Sequence, residues 1–414
     1  MSGPAAPRRS VAPALAVLCA SAALLTMGNG LAGTLVSVRA DAEGFAPVIT
    51  GAVMSAYFAG FVAGSFAVPA LVRRVGHIRT FAAMISLASS VALAYALWIE
   101  PGFWTLLRFA QGACLAGGIM VIESWLNAIA TRATRGRILA LYGVVIFAAW
   151  SLSQLWLAAA PVTGFVLFVA VSMLKSAAML PLLLADVRDP VVATATRAPL
   201  AKLLVTSPLA VVACFAVGFA TGATLSLGPV YAGGIGLDEG GVSLFMAALL
   251  VGAMALEWPL GAGSDRLDRR WVLTLAAIAG GLAAAALAAQ PAGHWSLLAA
   301  AFAYGGFTIP LYSVAVAHAS DYARPEETVA VSSGLLIVYG CGSIVGPLVG
   351  GVALDRAGPG AVFAVAAVVM VATAAFALVR MTRRPTVTAT TGFVSRPRTT
   401  HAAADLDPRQ EADA

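Results

Sequence analysis

Charge is what this chain lacks most. Of its 414 residues only 11% are charged and four are histidine, against 60% hydrophobic, and the mean hydropathy is +0.90. Soluble domains carry about a quarter charged residues, so a water-soluble globule is excluded. Cysteine is also scarce. Cys19, Cys114, Cys214 and Cys341 each fall inside an apolar stretch, which leaves no disulfide framework and no metal cluster to read. There is no Walker-type phosphate loop either, which excludes a self-powered pump. The basic residues are scattered without an aromatic platform, so nothing points to nucleic acid.

What is present instead is a series of apolar runs of about 20 residues, the length at which a helix crosses the roughly 30 Å hydrocarbon layer with its backbone polar groups satisfied internally. Twelve such runs are read between residues 12 and 379, interrupted by Pro, Gly and charge clusters. The fold class expected is an all-α membrane protein of twelve transmembrane helices in two six-helix bundles. Residues 1–11 form an N-terminal segment, 12–184 the first bundle, 185–207 a linker, 208–379 the second bundle, and 380–414 a polar tail whose composition predicts disorder. Arg8 and Arg9 before an apolar run imitate a secretory signal, but the run is too long for one and is read as an uncleaved first helix.

Lys and Arg are sharply partitioned. Of the 25, one set of loops and ends takes 21: Arg8, Arg9, Arg73, Arg74, Arg79, Arg132, Arg135, Arg137, Arg188, Arg197, Lys202, Arg266, Arg269, Arg270, Arg324 and six tail arginines. The other set holds Arg39 and Arg356, and Arg108 and Lys175 fall inside spans. Basic residues are retained on the cytoplasmic side during insertion, so both termini are expected in the cytoplasm. The net charge of +6 is accounted for by that asymmetry.

The two halves repeat. Arg74 and Arg266 lie 192 residues apart, and at that shift the loops after the second and eighth spans coincide. The second-half loop reads Gly261, Ala262, Gly263, Ser264, Asp265, Arg266, Leu267, Asp268, Arg269, Arg270; the first-half loop keeps Gly76 but has Arg73 where the other has an acid. The fourth span carries Arg108, Gln111 and Gly112, the eleventh Gly342, Gly346, Pro347, Gly350 and Gly351, and Glu123, Ser124, Trp125, Leu126 and Asn127 close the fourth. These features resemble the major facilitator superfamily: its G-x-x-x-D-R-x-G-R-R loop, with Asp268 for the second glycine, its R-x-x-Q-G in helix 4, and a G-x-x-x-G-P-x-x-G-G pattern that its exporters usually carry in helix 5. At the matching positions of helix 5 stand Gln154 and Leu155. The run at Glu123 is similar to the YcaD-like bacterial branch.

The resemblance implies a substrate cavity between two bundles that rock to expose it to each side in turn. It implies a secondary transporter of a small organic solute, without enzyme activity or cofactor, a monomer in lipid with protons as coupling ion. A gradient-driven uniporter and a non-transporting regulatory or scaffolding membrane protein are the alternatives. Candidate substrate residues are Asn29, Arg108, Gln111, Trp150, Gln154, Tyr304 and Tyr312. A charge at the bilayer centre costs about 2.5–3.5 kcal/mol on insertion scales, so each buried one needs a partner or a purpose. Arg108 is read as a cavity-facing cation that binds an anionic group or tunes a proton carrier, or else anchors to helix carbonyls. Glu257, some 15 residues into the eighth span, is the best proton-site candidate, although it could pair with the basic loop that follows. Lys175 reads as a snorkelling lysine.

A gate is expected at the basic face. In the resembled family the loop acid after helix 2 faces the N-terminus of helix 11; here Arg73 stands in its place and Glu326 and Glu327 open helix 11. In the other half Asp265 and Asp268, in the loop that also carries the gate residues Arg266 and Arg269, face Arg135 and Arg137 at the start of helix 5. Each loop would meet its complement, and inside the first half Glu123 has Arg73, Arg74 and Arg79 as available partners, as the resemblance implies.

Overall fold

The computed structural model describes residues 11–131, 134–184, 199–290, 293–324, 327–383 and Thr400. In the first half the helices are α1 (Val11–Ala42), α2 (Pro47–Val75), α3 (His77–Ala94), α4 (Pro101–Ile129), α5 (Arg135–Leu155), extended by a 3-10 turn at Trp156–Ala159, and α6 (Val166–Leu184). A short helix α7 (Leu200–Thr206) precedes the second half: α8 (Pro208–Gly234), α9 (Glu239–Arg266), α10 (Arg269–Ala288), α11 (His294–Thr308), α12 (Leu311–Ser320), α13 (Thr328–Ala357) and α14 (Ala361–Arg383). Twelve spans are long and apolar enough to cross a membrane, with α11 and α12 together forming the tenth. Among the described residues there is no strand, as the all-helical expectation requires.

Local chemistry sets the boundaries. Pro47, Pro101 and Pro208 open α2, α4 and α8 at the position where a missing N–H costs nothing. Glu100 caps α4 by accepting from the backbone N–H groups of Gly102 at 2.9 Å and Phe103 at 2.6 Å, which holds its carboxyl below its ordinary pKa. Asp238 and Asp268 cap α9 and α10 in the same way. Gly76 takes a positive φ of 87° at the tight turn between α2 and α3, a conformation that any Cβ would strain. The tenth span breaks at Ile309 and Pro310, because proline cannot donate to the helix ladder.

The linker expected over 185–207 contains a helix that composition did not announce, α7, tied to the start of α13 by an ion pair between Lys202 Nζ and Glu327 Oε1 at 2.7 Å. Residues 185–198 of that linker lie outside the described residues, as do Arg8, Arg9, Arg132, Glu326 and most of the tail. The last helix continues to Arg383, four residues beyond the span read from hydropathy, because the helix outlasts its apolar stretch. Thr400 is buried, and its hydroxyl donates to Glu123.

Helix pairing displays the repeat. α2 packs on α4 as α9 packs on α11, α1 on α6 as α8 on α14, and α1 on α5 as α8 on α13. Glycines permit the closest crossings. A Cβ at Gly60 would fall on the carbonyl oxygen of Phe109, and one at Gly112 on that of Tyr57; Gly252 and Gly305 meet Phe302 and Leu249 identically in the second half. Without water to drive apolar surfaces together, such backbone contact is a main source of helix association in lipid. The G-x-x-x-G-P run of α13 has this role: Gly342 and Gly346 lie against the carbonyls of Phe215 and Phe219 on α8.

Gly112→Val should therefore force α2 from α4 and destabilise the first bundle by about 1–3 kcal/mol. Gly143→Ala, at a position with open space around it, should melt no lower than the wild type. Thermal unfolding of purified protein followed by tryptophan fluorescence checks both.

Candidate functional site

The two halves touch chiefly at one end. α1 meets α8 where Ser37 Oγ donates to the Ser226 carbonyl at 2.5 Å, and α2 meets α13 where Ser55 Oγ donates to the Ile344 carbonyl at 2.6 Å. Gly51 and Gly351 pack backbone to backbone nearby. α5 meets α9 where Ser243 Oγ donates to the Gln154 carbonyl at 2.5 Å. Each contact lies near the helix ends opposite the arginine-rich loops, so that face is closed.

Between these contacts and the basic face lies a cavity of ≈ 210 Å³. Its wall near the closed end is built from Asn29, Thr34, Met54, Tyr57 and Arg108, and towards the basic face from Ser65, Phe66, Ile119, Gly143 and Ser333. Aromatic and thioether side chains make up much of the remainder, including Phe58, Phe61, Phe147, Trp150, Tyr339 and Met246. The cavity therefore extends from the closed end towards the basic loops.

Arg108 is the one charged residue in the described wall. It sits two turns into α4, 3% exposed, with Nη1 donating to Gln111 Oε1 at 3.1 Å and Nη2 to the Met54 sulfur at 3.1 Å. Its guanidinium stands 4.9 Å from the centre of the Tyr57 ring, a cation–π arrangement, and the Tyr57 hydroxyl accepts from Asn29 Nδ2 at 3.0 Å.

The residues read from sequence as substrate contacts divide into two sets. Asn29, Arg108 and Trp150 line the cavity. Gln111 is buried behind Arg108, shared between its guanidinium and the Tyr95 hydroxyl. Gln154 accepts from Thr34 Oγ1 at 2.5 Å and belongs to the closed end, not the wall. Tyr304 is fully buried inside the second bundle, donating to the Ala220 carbonyl at 3.3 Å, and Tyr312 lies edge-on to Tyr339, which takes the wall position in its stead. The reason is helix phase. Besides the expected Trp150, α5 supplies Phe147, and α2 and α13, which gave no candidate, supply Tyr57 and Tyr339. No signal in a uniformly apolar helix says which stripe faces a cavity and which faces lipid.

Glu257 does not line the cavity. It is 8% exposed between α9 and α12 and accepts from Ser313 Oγ at 2.7 Å, one turn from Ile309, which is part of the wall. Lys175 is 1% exposed, with Nζ donating to the Ala88 carbonyl at 3.4 Å; it does not snorkel, because α1 and α3 enclose it.

At the basic face the described ion pairs lie outside the expected crossed set, and the halves meet at the opposite end. Arg73 and Arg74 are exposed. Glu327 pairs with Lys202, which holds its carboxyl below the ordinary value, and Glu326 lies outside the described residues. Asp265 and Asp268 pair with Arg269 and Arg270 of their own half, and Arg269 also meets Asp321 at 2.9 Å in a buried ion pair. Arg266 ends α9 and Arg137 is exposed at the start of α5, beside the half-buried Arg135. Glu123 is fully buried and accepts from the hydroxyls of Tyr142, at 3.2 Å, and Thr400, in place of the expected Arg73 and Arg74.

Comparison with known proteins agrees with this architecture. The sequence profile of the Major Facilitator Superfamily matches residues 18–258 and 234–405. An MFS-type transporter of Enterobacter sp. (strain 638) is 30% identical over 342 residues, 81% of this chain and 87% of that protein. The MFS-type transporter YcaD of Escherichia coli O9:H4 (strain HS) is 28% identical over 330 residues, 78% of this chain and 84% of its own. The crystal structure of the nucleoside transporter NupG superposes with a TM-score of 0.74 at 14% identity, covering 88% of this chain and 98% of that one, which shows a shared fold. With its duplicated six-helix halves, central cavity and sequence kinship, the chain belongs to the Major Facilitator Superfamily, in the YcaD-like branch of its transporters.

Proposed function

We propose that this secondary transporter carries a small, partly apolar organic solute across the bacterial inner membrane by alternating access, coupled to protons. The observation that carries the reading is the cavity between the halves, closed at one end by contacts of α1, α2 and α5 with the second half and extending towards the basic face. The positive-inside rule places that basic face, and both termini, in the cytoplasm, so the conformation is inward-facing. Few polar groups in an otherwise aromatic wall suit a solute held by one or two directed contacts.

Proton coupling rests on Glu257. Its carboxylate accepts the Ser313 hydroxyl on α12, directly after the break at Pro310, and α12 continues from the segment that gives Ile309 to the wall. Protonation would change that bond and the seating of α12, so charge at Glu257 and cavity shape are mechanically linked. Its place outside the wall also fits a structural role in a gradient-driven uniporter, and the two readings differ in whether uptake needs a proton gradient.

When the molecule faces outward, the loops at the basic face come together. Arg73 then meets Glu326 and Glu327, and Asp265 and Asp268 meet Arg135 and Arg137, each cation opposing an acid or an acid-bearing helix start.

Three outcomes are expected. In a Cys341→Ser background, Ser65→Cys should be labelled by an impermeant maleimide from the cytoplasmic side and Ser55→Cys from the opposite side. The two reactivities should change in opposite directions across a pH series; labelling of both at once would indicate a pore. Glu257→Gln should abolish proton-driven accumulation in reconstituted vesicles while solute equilibration continues at near wild-type rate, and unchanged uptake after collapsing the proton gradient of the wild type would favour the uniporter. Arg73→Glu should lower transport about tenfold or more, equivalent to about 1.4 kcal/mol, and Glu326→Arg with Glu327→Arg should restore it. Failure of that rescue at normal expression removes the crossed latch.

A further inference from the structure

The cavity contains a cation that no acid among the described residues of the wall balances. Arg108 keeps its charge at any physiological pH, and a buried charge normally has an ionic partner. Its neighbours are the Gln111 carbonyl oxygen, the Met54 thioether, the Tyr57 ring and the Tyr95 hydroxyl, all neutral. Among the described residues no Asp or Glu lines the wall. Of the acids buried within spans, Glu123 accepts from Tyr142 and Thr400, and Glu257 from Ser313. Lys175 lies outside the wall and adds positive potential to the same half.

Hydrogen-bonding capacity is also unfilled at this point. Among the described residues Arg108 Nε has no acceptor, and the sulfur that takes Nη2 is a weak one that an oxygen would displace. Among the described residues the hydroxyls of Thr26 and Ser333, both on the wall, have no partner. A planar guanidinium with a free Nε edge matches the two oxygens of a carboxylate, the strongest pairing available to it. Arg108 stands near the closed end, whereas Phe61, Phe66, Phe147 and Trp150 extend the wall as an apolar sleeve.

Given the transporter reading on which this rests, we propose that the cargo is an amphipathic organic monoanion, its carboxylate paired with Arg108 at the closed end of the cavity and its apolar body lying along the aromatic wall. One cation and no second one in the wall select a single negative charge. A dianion would leave its other charge against phenyl rings, and a neutral analogue would leave the guanidinium unbalanced.

Full-length protein in nanodiscs is titrated calorimetrically with matched carboxylate and amide pairs of graded length: benzoate and benzamide, 3-phenylpropionate and its amide, hexanoate and its amide, with phthalate as the dianion. At least one carboxylate is expected to bind about tenfold or more tightly than its amide, as a charge-assisted pair replaced by a neutral one requires. Arg108→Gln should erase that preference, Arg108→Lys should retain part of it, and phthalate should bind more weakly than benzoate. If no carboxylate binds, if each amide matches its acid, or if Arg108→Gln keeps the preference, the assignment is overturned. Should Arg108→Gln fail to yield a monodisperse protein, the wild-type pairs and Arg108→Lys decide. Opposed labelling of Ser55→Cys and Ser65→Cys without a carboxylate preference overturns the monoanion alone, whereas loss of opposed labelling overturns the transporter reading itself.

Discussion

The hydrocarbon layer cannot hydrogen-bond, and this constraint shapes everything else in the molecule. It requires each span to satisfy its own backbone, which makes the protein helical, and it penalises every polar side chain left facing lipid. The chain complies by using few charges and by placing most cations on one face. Where polar groups do enter the bilayer they are buried among helices: the serines that join the two halves donate to backbone carbonyls, and Gln154 satisfies Thr34. Against that background an arginine surrounded by neutral groups stands out as chemistry that the fold itself does not need.

Since apolar association is weak in lipid, close backbone approach does much of the work of assembly. The same pair of glycine-mediated crossings occurs in both halves, Gly60 and Gly112 in one, Gly252 and Gly305 in the other. The halves differ at the fifth and eleventh spans. Gly342 and Gly346 bring α13 hard against α8, whereas the corresponding positions of α5 carry Trp150 and Gln154. A duplicated scaffold thus acquires an asymmetric interior: Trp150 and Gln154 of α5 serve as cavity wall and end seal, and Gly342 and Gly346 of α13 pack against α8.

Arg108 and Glu257 divide the two tasks that the proposed mechanism requires. One is in the wall of the first half and bears directly on what the cavity holds; the other lies in the second half beside the broken tenth span, behind the wall. In this reading the solute and the proton meet different bundles and communicate through the shape of the space between them. At the basic face Arg269 is anchored to Asp321 within the second half.

Much of this was legible in the linear chain because the bilayer imposes one-dimensional rules. Span number follows from apolar run length, the duplication from the recurrence of the Arg74 loop at Arg266, and the suspicion attached to Arg108 from the cost of a charge in hydrocarbon. Helix phase was not legible. Nearly every face of these helices is apolar, so the sequence carries no contrast between a stripe that meets lipid, one that packs and one that lines a cavity. Hence Tyr57 and Tyr339 went unnoticed while Tyr304 and Tyr312, equally aromatic, were placed in the wall. Nor does sequence record which face of the molecule is closed, because two arrangements of the same helices differ only in which ends touch. Run length, charge sidedness and repetition are properties of the chain itself; the neighbours of Arg108, the seal at Gln154 and the position of Glu257 behind the wall arise only from the rotation and tilt of packed helices, which tertiary contacts decide.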